Sequence, residues 1–283
     1  GPFRIERLLG RGGMGQVYLA TRIDGAAPPV ALKVLPRTRT KGARQMRFQK
    51  EIEALRRLHH PGIARLLDAG ELPTESGPLP YLATEFINGF SLREVMGAGG
   101  LEAPGRVFSF MAEVAEILAF AHENGVVHRD LKPENVMIDE AGRARLLDFG
   151  VARLDNPGGQ LTTQGTQVGQ IIGTLQYMAP EQASAGGGLM DGRADLYALG
   201  VIAFEWLTGR PPYLADTDSV HSAMVQIFMS VPTPLGQINP ALGGPAERIV
   251  ARCLAKKADN RYESAAELLE DLRRFRAGES LLP

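Results

Sequence analysis

The chain lacks most of what marks a secreted, fibrous or membrane-spanning protein. Its 283 residues contain a single cysteine, Cys253. One thiol can neither close an internal disulfide nor fill a Cys-rich zinc site, so packing must hold the fold, and the expected setting is a reducing cytoplasm. An excess of charge of one sign is missing too: 31 Lys and Arg face 32 Asp and Glu, a formal net of −1. Nothing global then draws the chain to nucleic acid or to an anionic membrane, and selectivity must come from local patches. No apolar run reaches the ~18 residues of a spanning helix, and no secretory leader opens the chain, so no membrane contact is expected of this segment. Gly1-Pro2 resembles the scar of a cleaved tag. The charged, helix-like end RRFRAGESLLP is what a domain cut from a longer protein would show, with any anchor lying elsewhere.

What is present reads as two globular lobes. Hydrophobic residues make up 44%, and 283 residues exceed what one core usually serves. Residues 3–87 read as strand-rich with one helix. FRIERLLG and QVYLATR alternate apolar and polar positions, and VALKVLP is a short buried-strand pattern. RQMRFQKEIEALRRL reads as a helix with Met46, Ile52, Leu55 and Leu58 on one side. IARLLDAG and LPYLATEFI read as two further strands joined by an exposed, turn-rich loop. Residues 88–277 read as mainly helical. Val107, Phe110, Met111, Val114, Leu118 and Ala121 recur at helical spacing. DLYALGVIAFEWLT is apolar almost all round, as a buried central helix would be. Ser264 and Glu267 have capping-box spacing and start a last helix. The expected class is α+β and bilobal.

LGRGGMGQVYLA sets Gly10, Gly12 and Gly15 in a G-x-G-x-x-G frame. Several unrelated folds use that frame, so the flanks decide. A dinucleotide fold needs a helix directly after the glycines. Here QVYLA reads as a strand, which leaves either a strand–turn–strand flap over phosphates or an ordinary glycine hairpin. Lys33 follows at the inner end of an apolar strand, where an unpaired ammonium is costly to bury. A phosphate and a carboxylate would both compensate it, unless it reaches solvent. Glu51 and Glu53 lie on the next helix, and Glu51 has the better spacing to the turn at residues 59–61.

GVVHRDLKPENVMID, residues 125–139, places a His, an Arg, two Asp, a Lys and an Asn between strand-like segments. Downstream, LLDFG puts Asp148 in a turn after a short apolar strand. If residues 136–138 and 145–147 pair as a hairpin, Asn135 and Asp148 come to the same end. An Asn and an Asp there suit Mg²⁺, a hard cation that takes oxygen ligands. Asp130 is left to accept a proton from an attacking hydroxyl, and Lys132 to meet charge on a phosphate.

These residues resemble the signature of the eukaryotic-like Ser/Thr protein kinases of bacterial type. GRGGMGQV, VALK, HRDLKPEN, DFG and APE stand in that family's order, from the glycine loop almost to the C-terminus. Leu32 replaces the commoner Ile, and Met14 stands where many members carry an aromatic. The resemblance implies the protein-kinase fold and transfer of the γ-phosphoryl of ATP to protein Ser/Thr hydroxyls. It implies Lys33 on the α- and β-phosphates, oriented by Glu51, with Asn135 and Asp148 on Mg²⁺ (Mn²⁺ as the alternative). Asp130 would deprotonate the substrate hydroxyl, and Lys132 would stabilise the phosphoryl. Val17, Ala31 and Met137 would touch adenine, Glu85 and Ile87 would offer backbone hydrogen bonds, and Thr84 would be the gatekeeper. Lys132 and GTLQYMAPE, with Thr174 and Tyr177, match the Ser/Thr branch. Glu181 is expected to pair with Arg261, and Asp195 to brace the catalytic loop.

Residues 151–172 would form an activation segment, with Thr162, Thr163 and Thr166 as phosphorylation candidates and Thr166 preferred. Arg129 precedes Asp130, which in the family that the chain resembles implies control by that phosphorylation. PRTRTKGARQMRFQK carries six basic residues and no acid. It reads as a solvated face or, through Arg44 and Arg47, as a partner for a phosphorylated loop. The partners implied are a protein substrate and a second copy of the chain for trans-autophosphorylation. Three rivals remain: a pseudokinase scaffold, a small-molecule phosphotransferase and an inert nucleotide-binding module.

Overall fold

A computed structural model of the chain describes residues 2–12, 15–25, 28–35, 52–74, 77–99, 102–149, 175–183, 191–213 and 220–282. Five strands build an antiparallel sheet: β1 Phe3–Gly12, β2 Gly15–Arg22, β3 Val30–Val34, β4 Leu66–Leu72 and β5 Leu79–Glu85, in the spatial order β1-β2-β3-β5-β4. Residues 52–57 form helix α1. Strand periodicity sorts the sheet into two faces. Ala20, Val30, Leu32, Tyr81 and Ala83 form an apolar cluster on one of them. Val17, Ala31, Lys33 and Thr84 therefore project from the other, and the register sets them side by side: Val17 pairs with Lys33, and Ala31 with Thr84.

A short sheet of β6 Gly89–Ser91, β7 Val136–Asp139 and β8 Ala144–Leu146 roofs the helical lobe. Within it, Val136–Ile138 pair with Ala144–Leu146, one residue earlier than the 145–147 hairpin expected from sequence. The tight Asp139 turn explains the shift: its carboxylate accepts from the N–H groups of Ala141 and Arg143. The expected strand over IARLLDAG starts only at Leu66, because Ile63 bridges to Leu146 instead.

The helical lobe is organised by α3 Pro104–Glu123 and α4 Arg193–Thr208, introduced by α2 Leu92–Gly99 and followed by α5 Val220–Met229, α6 Pro245–Cys253 and α7 Ala265–Ala277. Every apolar position expected on α3 is buried, together with Phe108, Ala112, Ala115 and Ile117. That wide buried face meets α4 through Phe110 edge-on to Trp206, 5.3 Å between ring centres, and α7 through Phe108 and Phe275 at 4.6 Å. α4 is buried on all sides, as its composition requires, and closes on Gly209 in the left-handed conformation. Ser264 caps α7 by accepting from the Glu267 N–H, but Glu267 reaches the Glu263 amide and not the expected Ser264 amide. Each large side chain buried here contributes about 1.5–3 kcal/mol.

Gly200 lies inside α4, where glycine is disfavoured by about 1 kcal/mol relative to Ala. Packing explains it: a Cβ there would sit 2.6 Å from Cβ of Cys253 on α6. The same burial pushes the Cys253 thiol up to about 12, so it stays protonated and serves as a small packing group. Gly200→Ala is therefore expected to destabilise by roughly 1–3 kcal/mol in urea unfolding, against its helix propensity. A gain in stability would mean that α6 is free to move off α4.

Candidate active site

The loop between α3 and β7 is built around one buried carboxylate. Asp195, in the first turn of α4, accepts from the His128 N–H through Oδ2 and from the Arg129 N–H through Oδ1, both at 2.8 Å. His122 Nε2 lies 2.8 Å from the same Oδ2. Those bonds hold Arg129 at φ 63°, a left-handed conformation that a long side chain rarely adopts. The turn aims Asp130 inward, where it is buried.

His128 is also buried, and both its ring nitrogens are used. Nε2 donates to the Leu147 carbonyl at 2.8 Å, and Nδ1 accepts from the Asp130 N–H at 3.4 Å. That pattern needs the neutral ring, protonated at Nε2. Burial lowers its pKa, against the opposing pull of Asp195 and Asp130. The Phe149 ring packs 4.7 Å from the imidazole, which anchors the residue next to Asp148.

Asp130, Lys132 and Asn135 are brought together. Asn135 Nδ2 donates to the Asp130 carbonyl at 2.7 Å and to its Oδ2 at 3.1 Å, and Lys132 Nζ lies 3.2 Å from that Oδ2. With Nδ2 so engaged, the amide oxygen of Asn135 has no partner among the described residues. That oxygen is the atom a hard cation takes. Asn135 O accepts from the Leu147 N–H at 2.9 Å, which fastens the strand leading to Asp148. Asp148 has φ 50° and pairs with Lys33 Nζ at 2.8 Å, joining the small sheet to the helical lobe. The residues present thus fit a divalent cation beside a phosphate: an amide oxygen, a partly exposed carboxylate and two ammonium groups. No cluster of three His, Cys, Asp or Glu suited to a metal occurs among the described residues.

The remaining expected residues fall as follows. Gly10, Gly12 and Gly15 lie on the β1–β2 hairpin, where Gly12 faces Gly15. Gly15 has a structural reason to be glycine: φ is +123°, and a Cβ would lie 2.1 Å from the Val34 carbonyl oxygen. A Cβ at Gly10 would meet nothing within 4 Å, so packing does not demand glycine there. Val17 and Ala31 share the Lys33 face, and Met137 lies on β7 opposite Arg145. Ile87 is buried just past β5. The Glu85 N–H donates to the Arg65 carbonyl at 2.9 Å, so the backbone group that Glu85 could offer a base is its carbonyl. Glu51, Thr162, Thr163, Thr166, Thr174, Arg44 and Arg47 lie outside the described residues. The carboxylate meeting Lys33 within them is Asp148.

Scaffold pairs expected from sequence are present. Arg261, with its side chain wholly buried, takes both Glu181 oxygens at 2.6 and 2.8 Å. Other contacts went unread. Gln182 Nε2 donates to the Arg129 carbonyl at 2.9 Å, tying the Pro180–Ala183 turn to the catalytic loop. Arg145 Nη2 donates to Glu85 Oε2 at 2.9 Å, across from β8 to β5. Arg93 joins Glu134, Glu205 and Tyr177. Only the last had a local signal: Ser91 and Glu94 have capping-box spacing, and they do exchange bonds at 2.7 and 3.2 Å.

The family model described as the protein kinase domain matches residues 3–272. The chain belongs to the protein kinase family. As a kinase domain it is 37% identical over 281 residues to the serine/threonine-protein kinase PknB of Mycobacterium tuberculosis, covering 98% of this chain and 43% of that protein. It is 39% identical over 278 residues to the serine/threonine-protein kinase pkn2 of Myxococcus xanthus, covering 96% and 32%. The kinase domain thus spans less than half the length of these curated relatives. Among solved structures, the crystal structure of the Mycobacterium tuberculosis PknI kinase domain superposes with a TM-score of 0.73 at 28% identity, covering 98% of this chain and 96% of that one. The bilobal architecture described above is that of the family, and the domain is of the Ser/Thr type. No helix among the described residues is long and apolar enough to cross a membrane.

The neutral, buried His128 makes this kinase domain acid-sensitive. Below pH 6.5 the unfolded chain binds a proton that the folded ring refuses, so stability is lost as pH falls through that value. Calorimetry should show the unfolding midpoint falling between about pH 7 and pH 5, and falling less in His128→Phe, which has no ring proton to gain. Identical slopes for both proteins would reject the assignment.

Proposed function

We propose that this kinase domain transfers the γ-phosphoryl of ATP to Ser or Thr hydroxyls of a protein, with Asp130 as general base. The observation that carries the reading is the meeting of the two lobes at one point. Lys33 reaches Asp148 at 2.8 Å, while Asp130 and Asn135 are joined at 3.1 Å on the same loop–hairpin unit. In this reading residues 3–87 and 88–277 close on the nucleotide between them. Val17, Ala31 and Met137 hold adenine, Ile87 supplies the hinge N–H, and Lys33, oriented by Glu51, holds the phosphates under the hairpin of Gly10, Gly12 and Gly15.

Asn135 and Asp148 hold Mg²⁺, or Mn²⁺ in its place. When bound there, the cation would supply charge neutralisation to the phosphates and to the departing ADP. Asp130 accepts the hydroxyl proton as the oxygen–phosphorus bond forms and the bond from phosphorus to the β–γ bridging oxygen breaks. Lys132 meets the charge on the phosphoryl in flight. Positioning and electrostatics supply most of the rate. Regulation by phosphorylation at Thr162, Thr163 or Thr166 is supported by Arg129, which precedes the base in the loop, and trans-autophosphorylation would bring two copies together. Relatives bearing the name serine/threonine-protein kinase support the protein substrate.

Labelled ATP with Mg²⁺, with and without a generic basic protein, tests the reading. Phosphate is expected on the added protein and within residues 151–172 by mass spectrometry. Asp130→Asn should lower turnover by roughly 10²–10⁴-fold, the usual worth of a general base, and leave ATP affinity nearly unchanged. An Asp130→Asn protein of undiminished rate would remove the proposed base. A chain that binds ATP but labels nothing would be a scaffold.

A further inference from the structure

Arg93 is the junction of three elements that the chemistry needs in register. It stands in the first turn of α2, directly after β6, and the Ser91–Glu94 capping box fixes where that turn begins. Each of its three donor nitrogens goes to a different partner. Nε donates to Glu134 Oε1 at 2.8 Å, and Nη1 donates to Glu205 Oε1 at 2.8 Å. Nη2 donates to the Tyr177 hydroxyl, which in turn donates to Glu205 Oε2. The guanidinium carbon also lies 5.8 Å from the centre of the Tyr177 ring.

The partners give the junction its meaning. Glu134 is the middle residue of the turn Pro133–Asn135, whose outer two residues are buried. Holding Glu134 from outside fixes the orientation of Asn135. Tyr177 is buried within the segment that leads into the Pro180–Ala183 turn, and Glu205 belongs to α4. Burial works against charge on Arg93, but hydrogen bonds to Glu205 and Glu134 outweigh it and raise its pKa. Burial, then Glu205, raises the Tyr177 pKa, so its hydroxyl keeps the proton it donates. A lysine offers one compact ammonium in place of this planar fork and cannot serve all three partners at once.

We propose that Arg93 is a positioning residue that locks the turn bearing Asn135 and the segment bearing Tyr177 into a single geometry, so that metal use and protein-substrate use depend on it together. The inference rests on the metal role proposed for Asn135 and on the peptide-positioning role that the GTLQYMAPE resemblance implies.

The experiment measures initial rates of labelled-phosphate transfer by this chain to a generic basic protein, against Mg²⁺ and against protein concentration, alongside the unfolding midpoint. Arg93→Met is expected to raise both half-saturating concentrations by about tenfold, the usual effect of removing a group that orients a metal ligand. Arg93→Lys should fold normally and recover only part of the loss. Removing the cation leaves the largely buried Glu205 carboxylate with the Tyr177 hydroxyl but without a counter-charge. If Arg93→Met does not fold, Arg93→Met with Glu205→Gln removes the lone charge and should show the same paired rise. A lower unfolding midpoint with both concentrations unchanged, or a rise in only one of them, overturns the inference. Asn135→Ala, run in parallel, separates the two readings. An altered Mg²⁺ response in Asn135→Ala beside a normal one in Arg93→Met rejects Arg93 alone. An unaltered response in Asn135→Ala rejects the metal assignment, and the inference with it.

Discussion

The catalytic loop depends on a carboxylate that never faces its cleft. Asp195 is buried at the start of α4 and is the acceptor for two successive amides, those of His128 and Arg129. Without it, Arg129 would relax from its left-handed conformation, and the chain would enter Asp130 at a different angle. An aspartate at that depth survives because its hydrogen bonds replace lost water. The helix N-terminus adds a favourable field. The rigidity of α4 is thereby passed to a loop with no regular structure of its own.

From that anchor the order spreads in short steps. The carbonyl of Leu147 receives His128, and the carbonyl of Asn135 receives the Leu147 amide. The loop and the β7–β8 hairpin therefore move as one body. Asn135 is clipped to Asp130 on this body, and Asp148 extends from its end to meet Lys33 of the small lobe. Among the described residues, the two with positive φ and without a glycine's freedom, Arg129 and Asp148, flank the site on either side. Strain of this kind persists only where neighbours over-determine it, and here hydrogen bonds and the Phe149–His128 packing do so.

Much of this was legible because short motifs encode local geometry. The strand after the glycines, the wide apolar face of α3, the all-apolar α4 and the Glu181–Arg261 pair could each be read from spacing or family pattern. The hairpin of β7 and β8 was expected one residue out of register, since the Asp139 turn is closed by a side chain whose reach spacing alone does not report. Arg93 and Arg145 carry no distinguishing signal of their own in the sequence. An arginine in a first helical turn or on a short strand resembles any solvated residue until the docked lobes bring Glu134, Glu205 or Glu85 within its reach. Gly15 carried a double meaning: its place in the motif suggested phosphate, while the nearby Val34 carbonyl gives it an equally firm steric reason.

The Lys33–Asp148 pair has a consequence for how a ligand enters. The two charges neutralise each other across the cleft, so among the described residues Lys33 and Asp148 serve as each other's counter-ion. A nucleotide arriving without a cation would draw Lys33 away and strand the aspartate. A cation arriving alone would strand the lysine. Only a partner bringing both signs at once would exchange one neutral arrangement for another, so under the proposed function a preformed metal–nucleotide complex would be the natural visitor to this cleft.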